Sequence, residues 1–531
     1  MLKYFSSIAE NKSRIAAVAI VVVLVLLQGL YCYDSISASK SVLLLCGIAV
    51  ILVIVIALLL FSKLCDTEKG INRVFLGALL LAGSFYLVIF PPNTVPDEVY
   101  HFQASYKYSN AVLGEGIGDS DISIRNEDRV LFEDDSIIVS SEHYRNILNN
   151  FELFASQSGA TEQTLVASFG LDGNPPQTKI ASVVGICLGK VLGLGAYPLY
   201  YLGRLFNLIV FALCAFFAIK LTPCGKNIFR AVALLPMTLH LAASYSYDVA
   251  IIGMSFLLTA LCLKAIYESG PIGKATLIGI GILVFLIAPC KVIYSLIALL
   301  VLFIPKERFS SRRICYLVKG GILLVALVGA LVFRASSLFG LAGLSDASGG
   351  SSNGVTQLDT RGAETGHFYS LSDVISDPIG TFLMYVSTFG YRGDWYVETT
   401  VGGSLGWFQV ELIASDLIVY AFVAILLLSS FNSKDNNREI SPLFRTALIL
   451  IFIIVGVLAG VSMLLGHTFI GEKYIEGVQG RYLLPVLPLL LIALRNSKIF
   501  YKGNPVIPIL IGSFALNLLY LNNIFAIALG I

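Results

Sequence analysis

Thr446-Ala-Leu-Ile-Leu-Ile-Phe-Ile-Ile-Val-Gly-Val-Leu-Ala-Gly-Val-Ser-Met-Leu-Leu-Gly466 contains no charged residue. About 20 mostly apolar residues carry a helix across the hydrocarbon core of a bilayer, so this stretch, within 444–466, reads as one membrane span. Comparable runs, some of them short, follow at 482–496 and 504–525 and precede it at 412–431. Further upstream lie 15–32, 41–62, 72–90, 198–220, 229–244, 249–267, 275–289, 292–305 and 316–334. The total is about thirteen candidate spans.

Composition agrees with a lipid environment. The 531 residues are 56% hydrophobic and 13% charged, against roughly 25% charged in globular proteins. A net charge of +2, with no long basic run outside the short loops, gives no reason to expect a nucleic-acid partner. Nine scattered cysteines without a CxxC pair argue against both a disulfide framework and a structural zinc. The first apolar run, Ile15 to Tyr31, follows Lys3, Lys12 and Arg14 but has no A-x-A-like cleavage site, so a retained span is expected.

Lys and Arg gather in cytoplasmic loops. One side receives Lys63, Lys69 and Arg73, then Lys220, Lys226 and Arg230, Lys264 and Lys274, Lys306 to Arg313, Lys434 to Arg445, and Arg495 to Lys502. The other side receives two long polar segments, 91–178 and 335–410, and the short loop from His467 to Gly480. This alternation holds only if 180–195 lies along the membrane surface instead of crossing. The acids of the first outer loop (Asp119, Asp121, Glu127, Asp128, Glu133, Asp134, Asp135), mixed with apolar residues, suggest a small helical cap. The second outer loop begins with a flexible Ser345–Gly354 stretch and ends in an aromatic part holding Trp395 and Trp407.

Ionisable groups at span ends are costly and commonly functional, and five polar places stand out, all on the outer side. Pro91-Pro-Asn-Thr-Val-Pro-Asp-Glu-Val-Tyr-His-Phe102 follows the third span. Pro96 suits the first position of a helix, which puts Asp97 and His101 on one face at i, i+4. Asp97 can take a proton from a hydroxyl or bind a divalent cation, or it can simply favour a helix start. Gly173-Asn-Pro-Pro-Gln177 closes the first outer loop as a rigid turn. Ser244-Tyr-Ser-Tyr-Asp248 places Asp248 to contact a sugar hydroxyl or to cap a helix. Lys291, in Ala288-Pro-Cys-Lys-Val-Ile-Tyr294, and Arg481, in Gln479-Gly-Arg-Tyr-Leu-Leu-Pro485, are cations on the side otherwise poor in them. Either can snorkel, and both suit a lipid phosphate, the arginine through its planar fork.

Pro-Asp-Glu-x-x-His after an early span, Asn-Pro-Pro, Ser-Tyr-Asp, a lysine in a short helical hairpin and a late Gln-Gly-Arg-Tyr-x-x-Pro together resemble the DUF2142 family of bacterial membrane proteins. More distantly the chain resembles the GT-C superfamily of glycosyltransferases, over most of its length from about residue 72. The order from Asn174-Pro-Pro-Gln177 through Gly193 to Arg204-Leu-Phe-Asn207 follows the corresponding GT-C region. That resemblance implies that Asp97 is the catalytic acid of the first outer loop and that a sugar on a polyprenyl phosphate is the donor. Two departures stand out. Two additional spans precede the loop, and Gln177 occupies a place often filled by an apolar residue.

The expected fold is therefore all-α: a polytopic, GT-C-like transmembrane helix bundle with a small extracytoplasmic helical cap. It divides into N-terminal spans 1–71, a membrane core 72–334 that includes the outer loop 91–178, a second outer loop 335–411, and C-terminal spans 412–531. The expected activity moves a sugar from a polyprenyl-phosphate carrier to a glycan, lipid-linked glycan or cell-wall polymer. The expected setting is a bacterial plasma membrane, with the active site facing outside. Asp97 would act as base or as ligand to a Mg or Mn ion, with Glu98 and His101 orienting it or serving the acceptor. Lys291 and Arg481 would bind the donor phosphate, and Asp248, Tyr294, Trp395 and Gln479 would contact sugar or acceptor. A transporter or flippase of a lipid-linked saccharide, or a non-catalytic subunit of a cell-envelope polysaccharide assembly system, would explain the same outer charges.

Overall fold

The computed structural model describes residues 67–115, 121–134, 136–154, 163–168, 175–341, 368–407, 416–431, 439–495 and 505–528. The expected spans 15–32 and 41–62, Asn174 of the Asn-Pro-Pro motif and the Ser345–Gly354 stretch lie outside these residues.

The chain is mostly helical. Among the described residues, five helices are long and apolar enough to cross a membrane: Glu68–Ile89, Ala196–Leu221, Asp248–Tyr267, Arg312–Leu331 and Pro442–His467. The other expected spans are shorter pieces, such as Lys274–Ile287, Val292–Phe303 and Asp416–Ser429. The run 229–244, expected as one span, is broken into Lys226–Ala233 and Pro236–Ala242. Pro236 is the cause. It has no N–H to continue the preceding helix, and it pushes Leu235 into an extended conformation (φ −66°, ψ 142°).

The core is built where these pieces meet. The Ala196–Leu221 helix packs against both Glu68–Ile89 and Asp248–Tyr267, burying Phe75, Leu79, Leu208, Phe211, Ile252 and Phe256 in one continuous cluster. Small residues set the approach: a Cβ on Gly203 would strike the Tyr245 hydroxyl at 2.0 Å.

Segment 180–195 holds a helix of 12 residues, Ile180–Val191. At a rise of 1.5 Å per residue it is about 18 Å long, too short to cross. The cap departs from the all-α expectation. Asp121–Arg125 and Gln163–Ala167 form an antiparallel two-stranded sheet beside short helices. Ile122 and Ile124 alternate inward with Phe102, Tyr106, Leu131 and Tyr200, a period-2 pattern that the surrounding acids obscure. The second outer segment also departs from a loop, because Pro378–Val401 is a continuous helix of 24 residues.

Basic and acidic groups mark the two ends of the first described span. At its start, Glu68 receives Arg230 and lies 3.5 Å from Lys226. Its other end leads directly to the Pro91–Asp97 turn. The 22-residue helix corresponds to about 33 Å, close to the roughly 30 Å hydrocarbon thickness of a bilayer. Asp97 and the basic cluster therefore stand at opposite ends of one membrane-crossing helix.

Candidate functional site

The turn that presents Asp97 is anchored from below. Glu98, the first residue of the Glu98–Leu113 helix, is fully buried and bridged by Arg204 from the Ala196–Leu221 helix. Arg204 Nε donates to Glu98 Oε1 at 2.8 Å, and its other nitrogens reach the carbonyls of Leu87, Phe90 and Pro91. The Tyr245 amide, from the Ser-Tyr-Ser-Tyr-Asp motif, donates to the same Glu98 oxygen at 3.0 Å. One guanidinium thus ties together the end of a span, the proline turn and the start of the next helix. Glu98 was expected to orient Asp97 or serve the acceptor, and its carboxylate is wholly engaged in this buried pair.

Asp97 is not the first helical residue but the one before it. Its φ of 63° and ψ of 8° are left-handed, and its side chain makes no capping hydrogen bond. The only other non-glycine residue with positive φ among those described is Asn93, in the same turn. Such backbone costs on the order of 1–3 kcal/mol and concentrates at functional sites. Here it is held by the Asn93 amide on the Tyr200 hydroxyl and by Trp407 Nε1 donating to the Asn93 carbonyl at 3.1 Å. With no capping hydrogen bond to make, the Asp97 side chain is left 51% exposed.

Three expected residues from separate parts of the chain, Lys291, Asp248 and Arg481, form a line of charges that ends at Asp97. Lys291 follows the Lys274–Ile287 helix, where Pro289 interrupts the apolar run, and its Nζ lies 2.7 Å from Asp248 Oδ1. Arg481 enters from the late Gln-Gly-Arg-Tyr turn, with Nη2 3.8 Å from Asp97 Oδ2 and Nε 3.9 Å from Asp248 Oδ2. Arg481 is buried, and its Nε has no hydrogen-bond partner. Burial works against the Lys291 ammonium, yet Asp248 beside it prevails and raises its pKa well above the ordinary lysine value.

Aromatic rings wall the cluster. Lys291 Nζ is 4.7 Å from the Tyr247 ring centre and 4.6 Å from that of Tyr482, distances suited to cation–π attraction. His101, buried, packs edge-on against Tyr247 at 4.8 Å. Tyr294 is buried and donates to the Tyr482 carbonyl at 2.8 Å, so it supports the wall from behind. Gln479 carries a buried Oε1 with no partner, two residues from Arg481. Trp395 lies on the Pro378–Val401 helix one turn before Thr399, whose hydroxyl accepts from the Gly480 amide at 2.7 Å. Gln177 donates to the Leu286 carbonyl, at the break that leads to Lys291. A hydrogen bond to that broken helix end gives a polar residue a reason to stand there.

Sequence reasoning missed Tyr247, Tyr482 and the anchoring role of Arg204. Arg204 left a usable signal, an arginine inside an otherwise apolar run. The tyrosines stand inside the Ser-Tyr-Ser-Tyr-Asp and Gln-Gly-Arg-Tyr motifs, but aromatic residues are common at span ends and nothing local marked them as facing a cation.

Five helices long and apolar enough to cross a membrane, with a polar cluster beyond the end of one of them, mark a polytopic helical membrane protein. The chain belongs to the family described as predicted membrane protein (DUF2142), whose pattern matches residues 79–490 and so takes in all the residues of the cluster. No curated protein and no solved structure shows significant similarity to it.

Proposed function

We propose that this protein is a membrane glycosyltransferase that moves a sugar from a polyprenyl-phosphate carrier to an acceptor hydroxyl outside the cytoplasm. One observation carries the reading: a half-exposed carboxylate, Asp97, stands within 4 Å of a buried arginine that belongs to a carboxylate-braced pair of cations. The motif resemblance to GT-C enzymes supports it, and the position of Asp97 beyond the end of the Glu68–Ile89 helix opposite the basic cluster favours the outer side of a bacterial plasma membrane.

In the proposed step the acceptor oxygen attacks the anomeric carbon and its proton passes to Asp97. The bond between that carbon and the phosphate oxygen breaks, and its electron pair leaves on the carrier phosphate. Negative charge grows on that phosphate, and Lys291 and Arg481 stabilise it with little reorganisation, because Asp248 and the tyrosine rings already hold Lys291 and keep Arg481 close by. The long apolar carrier would lie in the membrane while the acceptor glycan, lipid-linked glycan or cell-wall polymer approaches the exposed face of Asp97.

Transfer of radiolabelled sugar from a synthetic polyprenyl-phosphate sugar by the purified protein tests the reading. Transport of the intact lipid-linked saccharide across a proteoliposome without transfer would instead indicate a flippase. Inactivity in both assays would indicate a non-catalytic subunit.

A further inference from the structure

A divalent cation beside Asp97 is the natural expectation for a carboxylate facing a phosphate. The donor set does not suit one. Magnesium takes about six oxygen ligands at short distances, usually one or two of them carboxylates. Among the described residues, no group of three or more His, Cys, Asp or Glu side chains forms an all-protein metal cage, so a metal would depend on Asp97 with a second free carboxylate beside it. The adjacent Glu98 has both oxygens bonded to Arg204, and one of them also to the Tyr245 amide. Asp248 has one oxygen on Lys291, and the other faces Arg481. The Arg481 guanidinium is 3.8 Å from Asp97 itself, so a metal on that carboxylate would sit against a fixed positive charge.

We propose that Arg481 and Lys291, positioned by Asp248, supply beside Asp97 the positive charge that a divalent cation would otherwise supply, so that transfer proceeds without a metal. This rests on the transferase reading and deepens it. The cluster holds two carboxylates and two cations and is neutral as it stands. Entry of a sugar phosphodiester adds one negative charge, which meets the unpartnered Nε of Arg481 and the nearby Lys291 ammonium. Asp248 is thereby a positioning residue: it holds the cations and does not touch the reacting atoms.

The test uses the full-length protein in detergent or nanodiscs, stripped with EDTA. Transfer is expected to continue without loss of rate, and Mg²⁺ or Mn²⁺ is expected to add nothing. Electron paramagnetic resonance of added Mn²⁺ is expected to show no stoichiometric bound ion, a readout independent of activity. Asp248→Asn is expected to raise the KM for donor while leaving that for acceptor unchanged. Loss of transfer in EDTA that Mn²⁺ restores overturns the proposal. So does a bound Mn²⁺ signal that disappears in Asp97→Asn, or an equal rise of both KM values in a well-folded Asp248→Asn protein. Absence of transfer under every condition counts against the transferase reading alone, and the Mn²⁺ spectrum still decides the metal question.

Discussion

Arg481 faces Asp97 across 3.8 Å while its Nε faces Asp248 across 3.9 Å. Neither distance is a tight ion pair. A buried guanidinium held short of both carboxylates is poised for a third anion. Charge-assisted bonds to phosphate form at about 2.7–2.9 Å, and small movements of the long Arg481 side chain bring it into that range.

Neutralising either cation is expected to cost catalysis. Removing one preorganised donor to a developing negative charge typically lowers kcat by about 10²–10³-fold. Arg481→Gln and Lys291→Met are each expected to fall in that range, with donor use impaired more than acceptor use. Steady-state kinetics with both substrates varied separately decides it, and wild-type donor kinetics in both variants would remove the phosphate from this site.

The Glu98–Arg204 pair predicts a different kind of defect. Both side chains are fully buried, and breaking a buried pair by removing one partner costs about 3–5 kcal/mol. Arg204→Met is expected to lower the melting temperature sharply and to reduce the yield of folded protein, because the Leu87, Phe90 and Pro91 carbonyls lose their donor too. A variant that melts like the wild type would mean that the turn holding Asp97 is fixed by something else.

Acid should loosen the cap. Burial acts against the Asp134 charge, but the bond to His143 and the Ser136 amide outweigh it and hold the carboxyl below its ordinary 3.8. A carboxyl depressed in the folded state stabilises it above the unfolded pKa and loses that contribution as pH falls through the folded one. The contribution is thus complete above 3.8 and disappears below it. Thermal stability followed between about pH 5 and pH 3 should decline less steeply in Asp134→Asn than in the wild type. Identical acid limbs would remove Asp134 from the account.

Sidedness can be read chemically. Glu142 on the exposed cap and Lys226 in the basic cluster are expected to lie on opposite sides of the membrane. A cysteine at 142 should react with an impermeant thiol reagent in intact cells, and one at 226 only after permeabilisation. The reverse pattern would put Asp97 in the cytoplasm.

The membrane class and much of the cluster were legible in the sequence because both depend on local signals. A run such as Thr446–Gly466 states its solvent directly, and Lys291 and Arg481 stand out as cations against the loop-charge trend. What the sequence hid depends on contacts between distant segments. The Glu98–Arg204 pair gives Glu98 a structural partner more than a hundred residues away, so a residue that adjacency to Asp97 suggested for the chemistry instead anchors the turn that presents it. Asp248 reads as a cap or a sugar contact until Lys291 is seen against it. The two strands of the cap alternate over only five residues each, too short a pattern to compete with the acids around them.

The central claim is that Asp97 carries the chemistry, and Asp97→Asn in the sugar-transfer assay tests it most directly. Asn keeps the size and tolerates the left-handed backbone at least as well as Asp, so folding, insertion and melting temperature should match the wild type. An amide cannot accept the acceptor proton, and general-base contributions run to about 10²–10⁴-fold. The account predicts a loss of that order in kcat at equal expression and equal thermal stability. Transfer at near wild-type rate by a well-folded Asp97→Asn protein would contradict it.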